Sequence, residues 1–157
     1  MRSIVNVLLV EDSEDDALLI LRELRRSGFD PIEERVDTRL GLNEALNRKS
    51  WDIIICDYVM PHFSALDALR ILQEKELDIP FIVVSGRVGE DIAVEAMRMG
   101  AQDYLLKSNL TRLAAAVERE LGAAEIRHAH RRMLKNIEQM REENTHPEET
   151  PRSHDHG

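Results

Sequence analysis

The stretch Trp51-Asp52-Ile53-Ile54-Ile55-Cys56-Asp57-Tyr58-Val59-Met60-Pro61 decides how the rest of the chain is read. From Ile53 the sequence is continuously apolar until it stops at the carboxylate of Asp57. A short apolar run bounded by turn signals is the pattern of a strand buried on both faces of a parallel sheet. Its carboxyl end is where open α/β sheets place their ligands. One aspartate at a strand end more often caps a helix or shapes a turn than reacts. Its meaning here depends on what ends the other strands.

Residues 4–10, Ile-Val-Asn-Val-Leu-Leu-Val, form a first predicted strand that stops at Glu11-Asp12. Asp12 or Ser13 can cap the helix that follows, and Glu14, Asp15 and Asp16 put negative charge on its first turn. Leu18, Leu21 and Leu24 form its expected apolar stripe, and Gly28 stands just past its end. Pro31 to Asp37 reads as a weaker strand whose polarity suits a sheet edge. Thr38 caps a second helix with Leu42, Ala45 and Leu46 inward, and the strand ending at Asp57 follows. After Pro61 a loop leads to Ser64, an N-cap with Asp67 three residues on, and a third helix carrying Leu66, Leu69 and Leu72. Phe81–Val84 is a strand ending in Ser85-Gly86, and a fourth helix runs from about Glu90 to Met99 before Gly100. Asp103–Leu106 is a last strand, ending in Lys107, and a long helical pattern starts near Asn109. This alternation predicts an α/β fold, a doubly wound parallel sheet with helices on both faces. Right-handed crossovers leave few topologies for it.

The chain has 157 residues, enough for one domain with a core and an appendage. Its net charge of −9 argues against a nucleic-acid or anionic-membrane surface and suits the gathering of divalent cations. Cys56 is the one cysteine, so no disulfide can form within the chain and a reducing, cytoplasmic location is expected. No segment approaches the ~20 apolar residues of a membrane span.

In a parallel sheet all the strand carboxyl ends lie on one edge, so that edge should collect Glu11, Asp12, Asp57, Ser85 and Lys107. Clustered carboxylates repel one another and call for a compensating cation. An oxygen-only ligand set that leaves room for water suits Mg²⁺, with Mn²⁺ as an alternative. A carboxylate beside such a cation and an ammonium is a plausible nucleophile toward phosphorus.

These residues resemble the receiver domain of two-component response regulators, with a chemotaxis-receiver-like core. The matching pieces are Leu9-Val-Glu-Asp12, Asp57-Tyr-Val-Met-Pro61, Val84-Ser-Gly86 and Asp103-Tyr-Leu-Leu-Lys107, within residues 4–122. The resemblance implies a flavodoxin-like (βα)5 sheet of order 2-1-3-4-5. It implies that Asp57 accepts a phosphoryl group from a histidine kinase or phosphotransfer protein. It assigns Mg²⁺ to Glu11, Asp12, Asp57 and the backbone carbonyl of Val59, phosphoryl contacts to Ser85 and Lys107, and a switch role to Tyr104. Output is expected through the face of the fourth helix, fifth strand and fifth helix. Two departures stand out. The family usually has proline after the lysine, in a cis peptide; here Ser108 follows, and a cis bond before a non-proline residue costs about 2.5–4 kcal/mol. Either that bond is cis or the loop has another shape. Val59 and Arg87 occupy positions that resemble tuners of phosphoryl lifetime, and Val59 cannot activate water, so slow self-dephosphorylation is expected. Aspartate-nucleophile phosphatases carry Asp-x-Asp; Asp57-Tyr58-Val59 lacks the second carboxylate, so a dedicated enzyme is not expected.

The domain organisation read from the sequence is a receiver at 1–122, a helical extension at 123–143 and a disordered tail at 144–157. The helical pattern from Asn109 to Glu143 would be ~50 Å long. Beyond Ala124 the apolar positions become Ile126, Ala129, Met133, Ile137 and Met140, a spacing compatible with a short coiled coil. This extension dimerises, links to an output domain, docks on another protein, or frays. Its basic cluster of Arg127, His128, His130, Arg131 and Arg132 reads as a solvated face. The alternative to a phosphorylation switch is a dimerisation or scaffold module acting through this helix, with phosphorylation secondary.

Overall fold

The computed structural model describes residues 3–86 and 89–145. The chain divides into two units, with the boundary between Ala124 and Glu125.

In the first unit the strands are β1 (Ser3–Val10), β2 (Phe29–Val36), β3 (Ile53–Asp57), β4 (Val59–Met60), β5 (Phe63–Ser64), β6 (Phe81–Ser85) and β7 (Asp103–Leu106). The helices are α1 (Glu14–Arg26), α2 (Arg39–Arg48), α3 (Ala65–Glu74), α4 (Glu90–Arg98) and the start of α5 (Leu113–Thr145). The main sheet is parallel in the order β2-β1-β3-β6-β7. This is the expected 2-1-3-4-5 arrangement; the numbering shifts because β4 and β5, where a plain loop was expected, pair as a small antiparallel hairpin. His62 takes a positive φ of 64° in its turn.

Side chains alternate across a strand, so each central strand feeds two cores. Leu8, Val10, Ile54, Cys56, Phe81 and Val83 face one layer with α2, α3 and Ala96 of α4. Val7, Leu9, Ile53, Ile55, Ile82 and Val84 face the other with α1 and the first turns of α5. Burial of each such isoleucine or leucine stabilises the fold by about 1.5–3 kcal/mol. This two-sided burial makes the central strands continuously apolar, while edge strand β2 keeps its polar residues.

Side-chain caps set the helix starts. Ser13 accepts from the Asp16 amide and Thr38 from the Gly41 amide. Ser64 and Asp67 form a reciprocal capping box on α3. One expected stripe residue is corrected: Leu18 is 53% exposed. Ala17, Ile20, Leu21 and Leu24 are buried instead, and Leu18 stands about 100° around the helix from Ala17. The last helix begins at Leu113 rather than near Asn109, because Asn109 closes a turn by donating its amide to the Leu106 carbonyl.

The second unit carries the rest of α5, on which Ile126, Met133, Leu134, Ile137 and Met140 are exposed. Asn144 and Thr145, expected in a disordered tail, are helical. Arg87 and the tail histidines His146, His154 and His156 lie outside the described residues.

Candidate functional site at the carboxyl edge of the sheet

The strand register brings the predicted residues to one edge. Cys56 pairs with Val10 and Asp57 with Val84, so Glu11, just beyond β1, and Asp57 share the rim. Ser85 pairs with Leu106, and the Lys107 amide donates to the Ser85 carbonyl at 2.8 Å, fixing where the lysine leaves the sheet. The Glu11 amide donates to the Val36 carbonyl at 2.9 Å. Arg35 donates to the Glu11 carbonyl at 3.2 Å, strapping the acidic loop to β2.

One carboxylate oxygen from each of Glu11, Asp12 and Asp57 lies within 4.8 Å of the other two. Lys107 enters this cluster from β7, with Nζ 3.0 Å from Glu11, 3.2 Å from Asp57 and 2.7 Å from Asp16. Asp16 was expected only as a favourable charge at a helix start. It stands one turn before buried Ile20, on the inward face of α1, so helical periodicity carried a signal for its position. The Glu11 side chain is 1% exposed, Asp57 10% and Lys107 19%.

Burial is the largest influence on both buried acids. It pushes Glu11 up to about 7, against the hydrogen bonds from Lys107 and the Ser13 amide. It also raises Asp57, with Lys107 opposing and Asp12 assisting. Burial alone would lower the Lys107 pKa, but Asp16, Glu11 and Asp57 outweigh it and hold the ammonium above its ordinary value. The buried Oε2 of Glu11 has the Lys107 ammonium 3.0 Å away. The carboxylates of Glu11, Asp12 and Asp57 gathered beside that single ammonium leave negative charge uncompensated, an all-oxygen set that fits a hard divalent cation.

The other expected site residues are placed as follows. Ser85 is buried at the end of β6. Val59 begins the β4–β5 hairpin and is 48% exposed. Tyr104 is half-buried on β7 and packs against the core layer that contains Cys56 and Val83. Between the two open possibilities for Lys107-Ser108, the structure has the second: there is no cis peptide bond among the described residues, and residues 106–109 form a tight turn. One further contact was not foreseen. Tyr58, next to Asp57, donates its hydroxyl to Glu95 of α4 at 2.9 Å.

Among the described residues no helix is long and apolar enough to cross a membrane.

Comparison with known proteins agrees with this geometry. The family model of the response regulator receiver domain matches residues 7–118. The regulatory protein LuxO of Vibrio cholerae is 34% identical over 102 residues, covering 63% of this chain and 21% of LuxO. The cell cycle transcriptional regulator CtrA of Caulobacter vibrioides is 32% identical over 131 residues, covering 77% of this chain and 54% of CtrA. The chain thus spans about a fifth to a half of these relatives. Among solved structures, the signal receiver domain of a LuxO repressor protein from Vibrio parahaemolyticus superposes with a TM-score of 0.71 at 28% identity, covering 82% of this chain and 97% of that one. A parallel sheet in this order, an acidic cluster and an apposed lysine at its carboxyl edge, and a family match that reaches all five strands lead to one conclusion: the chain belongs to the response regulator receiver domain family, the phosphoacceptor modules of two-component signalling.

Proposed function

We propose that Asp57 is the phosphoacceptor of a cytoplasmic phosphorelay. One carboxylate oxygen attacks the phosphorus of a phosphohistidine on a sensor kinase or phosphotransfer protein. The phosphorus–nitrogen bond breaks, the imidazole leaves with its electron pair and takes up a proton, and an acyl phosphate remains on Asp57. The observation that carries this reading is Lys107 Nζ, 3.2 Å from Asp57 in a buried acidic cluster. Glu11, Asp12, Asp57 and the Val59 carbonyl would hold Mg²⁺, or Mn²⁺ in its place. When bound, the ion supplies positive charge that draws the phosphoryl oxygens in and offsets the carboxylates. Lys107 pairs with the phosphoryl oxygens, and Ser85 donates a hydrogen bond to one of them. Val59 offers no group to activate water, which supports a long-lived acyl phosphate and no dedicated hydrolase.

Tyr104 is proposed as the switch that reports the phosphoryl group. It lines a groove of about 350 Å³ between α4, β7 and the turn that leads into α5, together with Gly89, Ala93, Leu106 and Arg112. That placement supports a downstream protein as the reader of this face.

The boundaries proposed are a receiver to 122 and a helical extension from 123, whose helix runs to Thr145 rather than to 143. The exposed apolar residues of the extension recur at 126, 133 and 140, one heptad apart, which supports homodimerisation through this helix.

The test of the phosphoacceptor reading is labelling by radioactive acetyl phosphate with Mg²⁺. Wild-type chain should gain acid-stable, base-labile label, and Asp57→Asn should lose it. Label retained by Asp57→Asn would overturn the assignment. Light scattering with and without beryllofluoride tests assembly: a monomer under both conditions rules out the homodimer.

A further inference from the structure

The lysine at the phosphoacceptor makes its shortest contact with an acid outside the cation cluster. Asp16 Oδ2 is 2.7 Å from Lys107 Nζ, whereas Asp57 Oδ2 is 3.2 Å away. We propose that Asp16 is a positioning residue that acts through Lys107, and that its charge opposes the phosphoryl group on Asp57 while favouring the cation beside it.

Three features of the chain support this. First, the backbone at Asp16 is anchored: it stands in the first turn of α1, where its own amide donates to the Ser13 side chain at 3.2 Å. Second, Ser13 connects it to the acidic cluster, because the Ser13 amide donates to Glu11 Oε1 at 3.1 Å. The Asp16 carboxylate thus takes a share of the lysine's charge at the border of the acidic cluster. Third, Asp16 and Asp57 share one ammonium, so their near oxygens are no more than about 6 Å apart. The lysine has one charge to divide among Asp16, Glu11 and Asp57. A phosphoryl group on Asp57 adds negative charge near Asp16 and must compete with it for the ammonium. A divalent cation experiences the reverse. Asp16 attracts it through space, and it draws toward itself the lysine that would otherwise neutralise Glu11 and Asp57.

The two effects have opposite signs, which a merely structural role cannot imitate. Asp16→Asn retains an oxygen that can accept from Lys107 and removes the charge. The inference rests on the phosphoacceptor reading, and the experiment separates the two. Mg²⁺ affinity is measured by titration calorimetry, and beryllofluoride affinity by fluorine NMR at saturating Mg²⁺, on wild type, Asp16→Asn, Asp16→Glu and Asp57→Asn. Asp16→Asn is expected to bind beryllofluoride roughly three- to tenfold more tightly, the low end of the Coulomb range because Asp16 is 34% exposed. Its Mg²⁺ affinity should fall by a few fold, and Asp16→Glu should return both values toward wild type. If both affinities fall, or neither moves, Asp16 is only structural and the proposal is wrong. A wild-type chain that binds no beryllofluoride, or an Asp57→Asn chain that binds it equally well, overturns the phosphoacceptor reading and this inference with it.

Discussion

Replacing Lys107 with glutamine should destabilise the chain in a way that depends steeply on pH. The substitution keeps most of the side-chain volume and removes the charge that faces Glu11, Asp16 and Asp57. Glu11 and Asp57 are buried, and stripping a buried ionic cluster of its partner costs about 3–5 kcal/mol. Asp16 is a third exposed and adds little. We expect ~3 kcal/mol at pH 8 in EDTA, a fall in melting temperature of ~10 °C for a domain of this size. The sign follows from the carboxylates. The folded-state pKa of Glu11 is already raised to about 7, above its unfolded value, and loss of Lys107 raises it further. Below the unfolded pKa of ~4.3 Glu11 is neutral in both states and carries no penalty. As pH climbs from there through the folded value, the penalty for a buried, unpaired carboxylate grows. The difference between variant and wild type should therefore shrink toward pH 5 and widen toward pH 8. Lys107 itself gives no competing slope in this window. Its folded pKa is raised, so its contribution is complete below ~10.4 and fades only above that. Saturating Mg²⁺ should restore part of the loss at pH 8. Calorimetric melts at both pH values, with EDTA and with Mg²⁺, are the assay. An equal loss at pH 5 and pH 8 would refute the electrostatic account and assign the effect to the lysine methylenes.

Two further outcomes follow from the same structure. Because Glu11 is raised to about 7 without a cation, Mg²⁺ should displace a proton near neutral pH. Apparent Mg²⁺ affinity should drop by up to tenfold per pH unit below 7, and calorimetry in buffers of different ionisation enthalpy should show that proton; a flat profile from pH 5.5 to 8.5 contradicts it. The hydrogen bond from the Ser64 amide, first among its causes, holds the Asp67 carboxyl below its ordinary pKa. The capping box should thus contribute about 1 kcal/mol above the unfolded pKa of ~3.9 and fade as pH falls through the lower folded value. Asp67→Ala should cost that amount in urea unfolding at pH 7 and much less near pH 2.5.

The sheet was legible in the sequence because parallel strands buried on both faces leave long apolar runs; handedness only narrowed their order, which came from the resemblance to receiver domains. Caps were legible at Thr38 and Ser64 for a local reason: a side chain three residues from its amide needs no tertiary context. The β4–β5 hairpin was not, since two-residue strands are too short for any periodicity. Leu18 misled because leucines at three-residue spacing suggest one stripe, whereas Ala17 and Ile20 define the true one. At the site, Glu11, Asp12, Asp57, Ser85 and Lys107 were found because each ends a strand or directly follows one. Asp16 follows none. It reaches Lys107 across 91 positions of sequence from α1, which shares a core layer with the start of α5, and only its helical phase pointed inward.

The two-sided burial of β3 has a consequence for how the molecule can respond. Every residue from Ile53 to Asp57 is buried, and its strand is hydrogen-bonded on one side to β1 and on the other to β6. Any shift of that strand would disturb two layers of packing and two ladders at once. Backbone amides there should exchange with deuterium at rates set by global unfolding alone. A new charge on Asp57 therefore meets a stiff support, and the displacement it drives must be taken up by softer parts of the rim. Those are the β4–β5 hairpin and α4, which is tied to the site through the Tyr58–Glu95 hydrogen bond. Compliance in this chain is thus unequally distributed, with the proposed phosphoacceptor on the side that does not yield.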